Sequence, residues 1–234
     1  MILDVQNIQT FYGESQALQG VTLSLEEGET VCILGRNGAG KSTTLKSIMG
    51  LTPPRSGRIL FDGQTVSGWP AHRIARAGIG YVPEDRRIFP GLSVRDNLDV
   101  ARYQRQGQSN PWTVDGILNK YPMLGELADQ DGATLSGGQQ QMLAVARSLM
   151  IQPKLLLLDE PNEGLAPVIV QQIGELIDDL SATTTILFTD QSVRFALKHA
   201  KRAYILEKGQ VVHEATSKEL KHDQETQDRF LSVA

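Results

Sequence analysis

Hydrophobic residues follow two different patterns along the chain, and together the patterns predict two kinds of β-strand. Around 3–5 and 21–25 apolar residues alternate with polar ones, which is typical of strands with one buried face. Segments 30–34, 154–158 and 185–188 are short and almost continuously apolar. Such runs are expected for parallel strands that are covered on both faces of a sheet.

The segments between these runs have apolar residues at helical spacing, which predicts that helices connect the strands. Helices are predicted at 42–49, 139–150 and 168–180. Segment 57–63 predicts one more strand, and the Asp-Gly pair at its end predicts a hairpin turn. Buried strands joined by helices favour an α/β fold.

The middle of the chain differs from both ends. From 85 to 151 the pattern is mainly helical and is broken by Gly and Pro, which predicts a helical subdomain inserted into an α/β core. We therefore expect a single domain over 1–234, with its core formed by 1–84 and 152–234. The polar stretch 104–111 is predicted to be a surface loop.

Composition restricts the classes of function. Lys and Arg number 23 against 27 Asp and Glu, giving a net charge of −4, which disfavours nucleic-acid binding. The single cysteine, Cys32, lies in an apolar run and is predicted to be a buried structural thiol. An acidic residue near the N-terminus and the lack of a 20-residue apolar window predict a cytoplasmic protein that reaches membranes only through a partner.

A phosphate-binding loop is the strongest chemical signal. Residues 35–42 fit G-x-x-x-x-G-K-[ST], and the segment follows a predicted buried strand and opens a predicted helix. Backbone amides of such a loop surround phosphates, Lys41 would reach the terminal phosphates, and the Ser42 hydroxyl would bind Mg²⁺. The predicted ATP-binding residues here are Gly35, Arg36, Asn37, Gly38, Ala39, Gly40, Lys41, Ser42 and Thr43.

Two carboxylates follow the buried strand at 154–158. Ligands of open α/β sheets bind beyond the carboxyl ends of the strands. Asp159 is therefore expected to hold Mg²⁺, and Glu160 is expected to polarise a water.

Between these two motifs, residues 135–139 read LSGGQ, and in this order the three motifs resemble ABC-type ATPases over essentially the whole chain. The resemblance implies a P-loop ATPase fold with a mixed sheet core, an antiparallel β subdomain and a helical insertion. It also implies a head-to-tail dimer with two ATP molecules between the subunits. In that dimer the nucleotide of one subunit contacts residues Ser136, Gly137, Gly138 and Gln139 of the other.

The resemblance assigns further residues one by one. Tyr12 matches the aromatic residue that stacks on adenine, with Phe11 as the competing candidate. Glu84 replaces the usual Gln that contacts Mg²⁺ or water, and Gln191 replaces the usual His at the γ-phosphate. Ala166 replaces an Asp that bridges the dimer. The predicted catalytic residues are Glu160, Gln191, Glu84 and Lys41, the predicted metal ligands are Ser42, Glu84 and Asp159, and the predicted cofactors are ATP and Mg²⁺.

The replacements resemble one of the two ATPase subunits of bacterial importers for branched-chain and neutral amino acids. Such a subunit would pair with a second ATPase, or with a copy of itself, beneath two permeases on the inner face of the membrane, and a periplasmic protein would supply the substrate. Urea importers resemble the chain in the Glu-Gly pair that ends at Gly164 and in Gln139–Gln141. Glu84 and the ending 229–233 favour amino acids. Two further hypotheses are an ABC-type ATPase of DNA repair or translation and an ATP-binding module without hydrolysis.

Overall fold

The computed structural model describes residues 1–102 and 112–230 of the 234-residue chain. The predicted surface loop at 104–111 lies outside the described residues, as do positions 231–233. The strands are β1 Leu3–Tyr12, β2 Ser15–Leu25, β3 Thr30–Leu34, β4 Ser56–Phe61, β5 Gln64–Thr65, β6 Ile79–Val82, β7 Leu155–Leu158, β8 Thr185–Asp190, β9 Arg202–Glu207 and β10 Gln210–Thr216. The helices are α1 Lys41–Ile48, α2 Ala71–Ala77, α3 Val94–Val100, α4 Val114–Lys120, α5 Pro122–Gly125, α6 Gly137–Leu149, α7 Pro167–Ser181, α8 Val193–His199, α9 Ser217–His222 and α10 Gln224–Phe230.

The larger sheet has six strands in the order β10-β9-β3-β8-β7-β6. Strands β3, β6, β7, β8 and β9 run parallel, and β10 adds an antiparallel edge. Every residue of β3, β7 and β8 is buried, as their unbroken apolar sequences predict. This parallel order brings the carboxyl ends of β3, β7 and β8 to one edge of the sheet, where the candidate site lies.

The smaller sheet has four antiparallel strands in the order β2-β1-β4-β5. The predicted hairpin joins β4 to β5, and its turn residues Asp62 and Gly63 have φ of 50° and 74°. Positive φ at both central positions suits an Asp-Gly turn, whose twist matches that of paired strands. The α/β class, the mixed sheet and the antiparallel sheet are thus confirmed.

Helices α3 to α6 lie between β6 and β7 in the chain. Their apolar residues, such as Leu98, Ile117 and Leu143, belong to the same hydrophobic cluster as Val82 and Leu156 of the sheet. Cys32 is fully buried, as predicted, and burial raises the pKa of its thiol. Within the described ranges, none of the helices combines the length and the apolar character needed to cross a membrane.

Candidate functional site

The predicted phosphate loop connects β3 to α1, so a buried strand and a helix fix its two ends. Gly40, the residue before α1, has φ of 108°, a conformation that L-residues rarely adopt. A Cβ on Gly35 would lie 2.5 Å from the carbonyl oxygen of Leu206, so only glycine fits there. The backbone therefore requires glycine at two of the fixed positions of the motif.

Lys41 begins α1, and its side chain is only 3% exposed. Its ammonium donates hydrogen bonds to the carbonyl oxygens of Gly35 and Arg36, at 2.8 and 3.1 Å. It also forms an ion pair with Glu160 over 3.0 Å. The loop thus curls around a buried positive charge, which is the arrangement that a terminal phosphate requires.

Asp159, directly after β7, collects hydroxyl groups from three other elements. Its Oδ1 accepts hydrogen bonds from Ser42 Oγ at 2.8 Å and Thr189 Oγ1 at 2.9 Å, and its Oδ2 accepts one from Tyr81 at 3.1 Å. Burial, together with the charge of Asp159, raises the pKa of Tyr81, so this phenol remains a donor. A carboxylate and a serine hydroxyl in contact are oxygen donors of the kind that Mg²⁺ prefers, so these residues fit the predicted metal site.

Glu160 adopts a left-handed conformation with φ of 43°, which is uncommon for a residue other than glycine. Its backbone N–H donates to Thr189 Oγ1 at 2.9 Å, and its Oε2 accepts from Gln191 Nε2 at 2.9 Å. Burial acts to raise the pKa of Glu160, but hydrogen bonds with Glu163, Gln191 and Lys41 outweigh it and hold the pKa below its ordinary value. Glu160 is therefore an ionised carboxylate that can accept a proton.

A pocket of about 550 Å³ opens beside the phosphate loop. The predicted site residues that line it are Asn37, Gly38, Gly40, Lys41, Ser42, Thr43, Glu84 and Glu160. The strand β2 and the β9–β10 turn contribute the remaining wall through residues such as Gln16, Gln19 and Lys208. Two carboxylates that were predicted to act on Mg²⁺ or water thus face the same space as Lys41 and Ser42.

Tyr12 and Phe11, the two candidates for adenine stacking, differ in their surroundings. Tyr12 is 50% exposed, and its hydroxyl lies 3.5 Å from Thr43 Oγ1 in the first turn of α1, next to the phosphate loop. The ring of Phe11 is covered by the guanidinium of Arg55 at 4.3 Å. Tyr12 is therefore the aromatic ring that is open to solvent beside the loop, and this favours Tyr12 over Phe11.

The predicted signature loop forms the start of α6. Ser136 and Gln139 bond each other's backbone N–H groups, at 2.8 and 3.4 Å, and this capping box fixes the first turn. A Cβ on Gly138 would lie 2.6 Å from the side chain of Ile169, so glycine permits close packing against α7. Among the described residues, those that line the phosphate-loop pocket do not include 136–139. The structure therefore does not bring the two glycine motifs of one chain to one pocket.

Several residues of the site were not predicted from the sequence. Thr189 and Tyr81 bind Asp159, but hydroxyl residues within strands carry no recognisable sequence signal. Burial raises the pKa of Asp190 to about 6, and its carboxylate accepts hydrogen bonds from Asn162 and from the backbone of Ser192. The carboxyl of Glu163 contacts Glu160 and Gln191, which its spacing of three from Glu160 could have suggested.

A second, mainly apolar groove of about 410 Å³ lies beside the segment that follows Glu84. Phe89 is 45% exposed and Leu51 is 48% exposed, and both line the groove. The guanidinium of Arg147, on α6, lies 4.8 Å from the Phe89 ring and donates to the carbonyl of Arg87 at 2.7 Å. Phe89 is thus a groove residue rather than a core residue.

The fold and the site together define an ATP-binding protein of the P-loop class. A model of the ABC transporter family matches residues 18–163, which is more than half of the chain. The chain belongs to this family of transport ATPases, which confirms the resemblance given by its motifs.

Curated relatives extend this match over almost the entire chain. The branched-chain amino acid transport ATP-binding protein BraG of Pseudomonas aeruginosa is 41% identical over 98% of this chain and 99% of its own length. The lipopolysaccharide export ATP-binding protein LptB of Escherichia coli is 34% identical over 98% of this chain and 96% of its own. Among solved structures, the ATP-binding cassette MJ0796, a dimer with bound ADP and phosphate, has a TM-score of 0.81 at 26% identity and covers 92% of this chain and 99% of its own.

Proposed function

We propose that this chain hydrolyses ATP to energise a bacterial importer for branched-chain or neutral amino acids. The similarity to BraG, which exceeds that to the export protein LptB, carries the choice of importer and substrate class. The contact of Glu160 with both Lys41 and Gln191 supports hydrolysis, because it places a base between the groups that would bind the terminal phosphate.

In the proposed mechanism, ATP lies in the phosphate-loop pocket with its adenine on Tyr12. The loop amides and Lys41 bind the phosphates, and Lys41 exchanges its carbonyl partners for phosphate oxygens. Glu160, held by the amide of Gln191, then accepts a proton from the attacking water. Mg²⁺, held by Ser42, Asp159 and Glu84, would neutralise charge on the phosphates.

The second half of each site would come from another subunit. The first turn of α6, with Ser136–Gln139, would cover the nucleotide of a partner ATPase in a head-to-tail dimer. We propose that the partner is a second, different ATPase, that two permeases lie above the pair at the inner face of the membrane, and that a periplasmic protein delivers the substrate. We further propose that the segment 84–92, which joins the γ-phosphate region to the helical insertion, moves with nucleotide state.

Transport itself provides the direct test of the substrate class. Vesicles that contain the chain with its two permeases and its second ATPase should accumulate radiolabelled leucine when the binding protein and ATP are supplied. Uptake should fall to background in the Lys41→Ala variant, because the phosphates lose their buried cation. Accumulation of urea in place of leucine, or of neither, would contradict the assignment.

We also expect the groove at Phe89 to receive a permease helix, because it is apolar and joins the Glu84 segment to α6. A cysteine introduced at Phe89 should form crosslinks to a permease in the assembled transporter. The matched control is a cysteine at Val212, an exposed apolar residue of β10. Crosslinking from position 89 only to the second ATPase would show that the groove belongs to a different interface.

A further inference from the structure

Glu163 lies in a tight turn just after the proposed catalytic base. Its backbone N–H donates to the carbonyl oxygen of Glu160 at 3.1 Å, and Gly164 follows with φ of 69°. The turn returns the chain toward Glu160, so that the carboxyls of Glu160 and Glu163 form a hydrogen bond. Glu163 makes this contact although it is an exposed residue.

Gln191 joins the two carboxyls. Its Nε2 donates to Glu160 Oε2 at 2.9 Å and to Glu163 Oε2 at 3.4 Å. A glutamine amide has two N–H donors at one end and an acceptor oxygen at the other. Two carboxyl acceptors on one side therefore select the donor end, because the opposite orientation would place the amide oxygen against both of them.

The contact matters most once ATP is bound. In the structure described, Glu160 is held by Lys41 as well as by Gln191 and Glu163. Under the proposed function, Lys41 turns to the phosphates, and one of these three contacts weakens. The remaining pair must then keep the Glu160 carboxylate within reach of the attacking water, and small displacements of a base reduce the rate strongly.

We propose that Glu163 is a positioning residue for hydrolysis, which fixes the donor end of Gln191 and the carboxylate of Glu160 by hydrogen bonds. The proposal rests on the proposed function, in which Glu160 is the base. The hydrogen bond with Glu160, burial, and the charges of Glu160 and Glu84 raise the pKa of Glu163 to about 7. Near neutral pH Glu163 therefore carries a proton in a large fraction of molecules and can donate it to Glu160 in a hydrogen bond.

The test measures ATP hydrolysis by the complete transporter. The rate that is lost in the Glu160→Gln variant defines how much of the total hydrolysis this chain's site contributes. Glu163→Leu should lower kcat of that share about tenfold, with KM for ATP within about twofold, because the contact orients the base and does not bind nucleotide. Glu163→Gln keeps one donor and one acceptor and should remain within about threefold of wild type. Glu27→Leu, at an exposed glutamate beyond the opposite end of β3, is the matched control.

A second comparison separates positioning through Gln191 from an independent effect. If Glu163 acts through Gln191, the Gln191→Ala/Glu163→Leu double variant should be no more than about twofold slower than Gln191→Ala alone. The proposal would be overturned by a double variant whose rate defect is the product of the two single defects, or by a wild-type rate for Glu163→Leu. It would also be overturned by equal losses of rate in Glu163→Leu and Glu163→Gln, or by a raised KM for ATP with unchanged kcat. Full activity of Glu160→Gln would instead show that the assigned base is wrong.

Discussion

Replacement of Glu160 by glutamine should lower ATP hydrolysis at this site by at least about 100-fold, the usual contribution of a general base. The amide keeps the size of the side chain and can still bond to Gln191, but it cannot take a proton from water. The phosphate loop and Asp159 are unchanged, so ATP should bind with unaltered affinity. Without hydrolysis the nucleotide should hold the two ATPase subunits together.

The experiment compares steady-state hydrolysis with equilibrium ATP binding and with the subunit composition of the complex after incubation with ATP. Glu27→Gln, which makes the same chemical change at an exposed loop position, should behave as wild type. Hydrolysis by Glu160→Gln within a few-fold of wild type in the assembled complex would assign the base to another group. Loss of ATP binding would show instead that the Glu160–Lys41 ion pair organises the empty loop.

Elements with strong local signals were predicted from the sequence because one physical rule fixes each of them. Buried runs gave β3, β7 and β8, and α1, α6 and α7 lie within two residues of their predicted bounds. Strand β6 was not predicted, since it has four residues and includes Gly80. A Cβ on Gly80 would lie 3.2 Å from side-chain atoms of Pro153 and Leu156, so its place depends on tertiary packing.

The candidate site shows the same division between local and tertiary information. The loop at 35–42 and the pair Asp159-Glu160 are contiguous in sequence, and their spacing relative to a strand reveals their chemistry. Thr189 and Tyr81 reach Asp159 from neighbouring strands, so only the strand order shows that they meet. Their part in the site therefore could not be inferred from sequence spacing.

Asymmetry between two ATPase subunits is the remaining expectation, and it follows from the residues that differ from most of the family. Gln191 is a neutral amide where a histidine would donate to the γ-phosphate and could carry charge. Ala166, the residue before α7, has no side-chain hydrogen bond where an Asp would bridge the dimer. A homodimer of this chain would repeat both replacements, whereas a different partner could supply one fully equipped site beneath this chain's Ser136–Gln139.

The isolated chain should therefore be mainly monomeric with ATP and should hydrolyse it slowly, and the rate should rise strongly when the second ATPase and the permeases are added. Loss of a charged contact to the γ-phosphate removes about 2–4 kcal/mol of transition-state stabilisation, which lowers the rate roughly 30-fold to 1,000-fold. Gln191→His should recover part of this in the isolated chain, whereas Gln64→His, at an exposed position of β5, should not. Light scattering measures whether the isolated chain dimerises with ATP, and steady-state kinetics measures its rate of hydrolysis. An isolated chain that dimerises with ATP and hydrolyses it as fast as the complete transporter would contradict the need for a different partner.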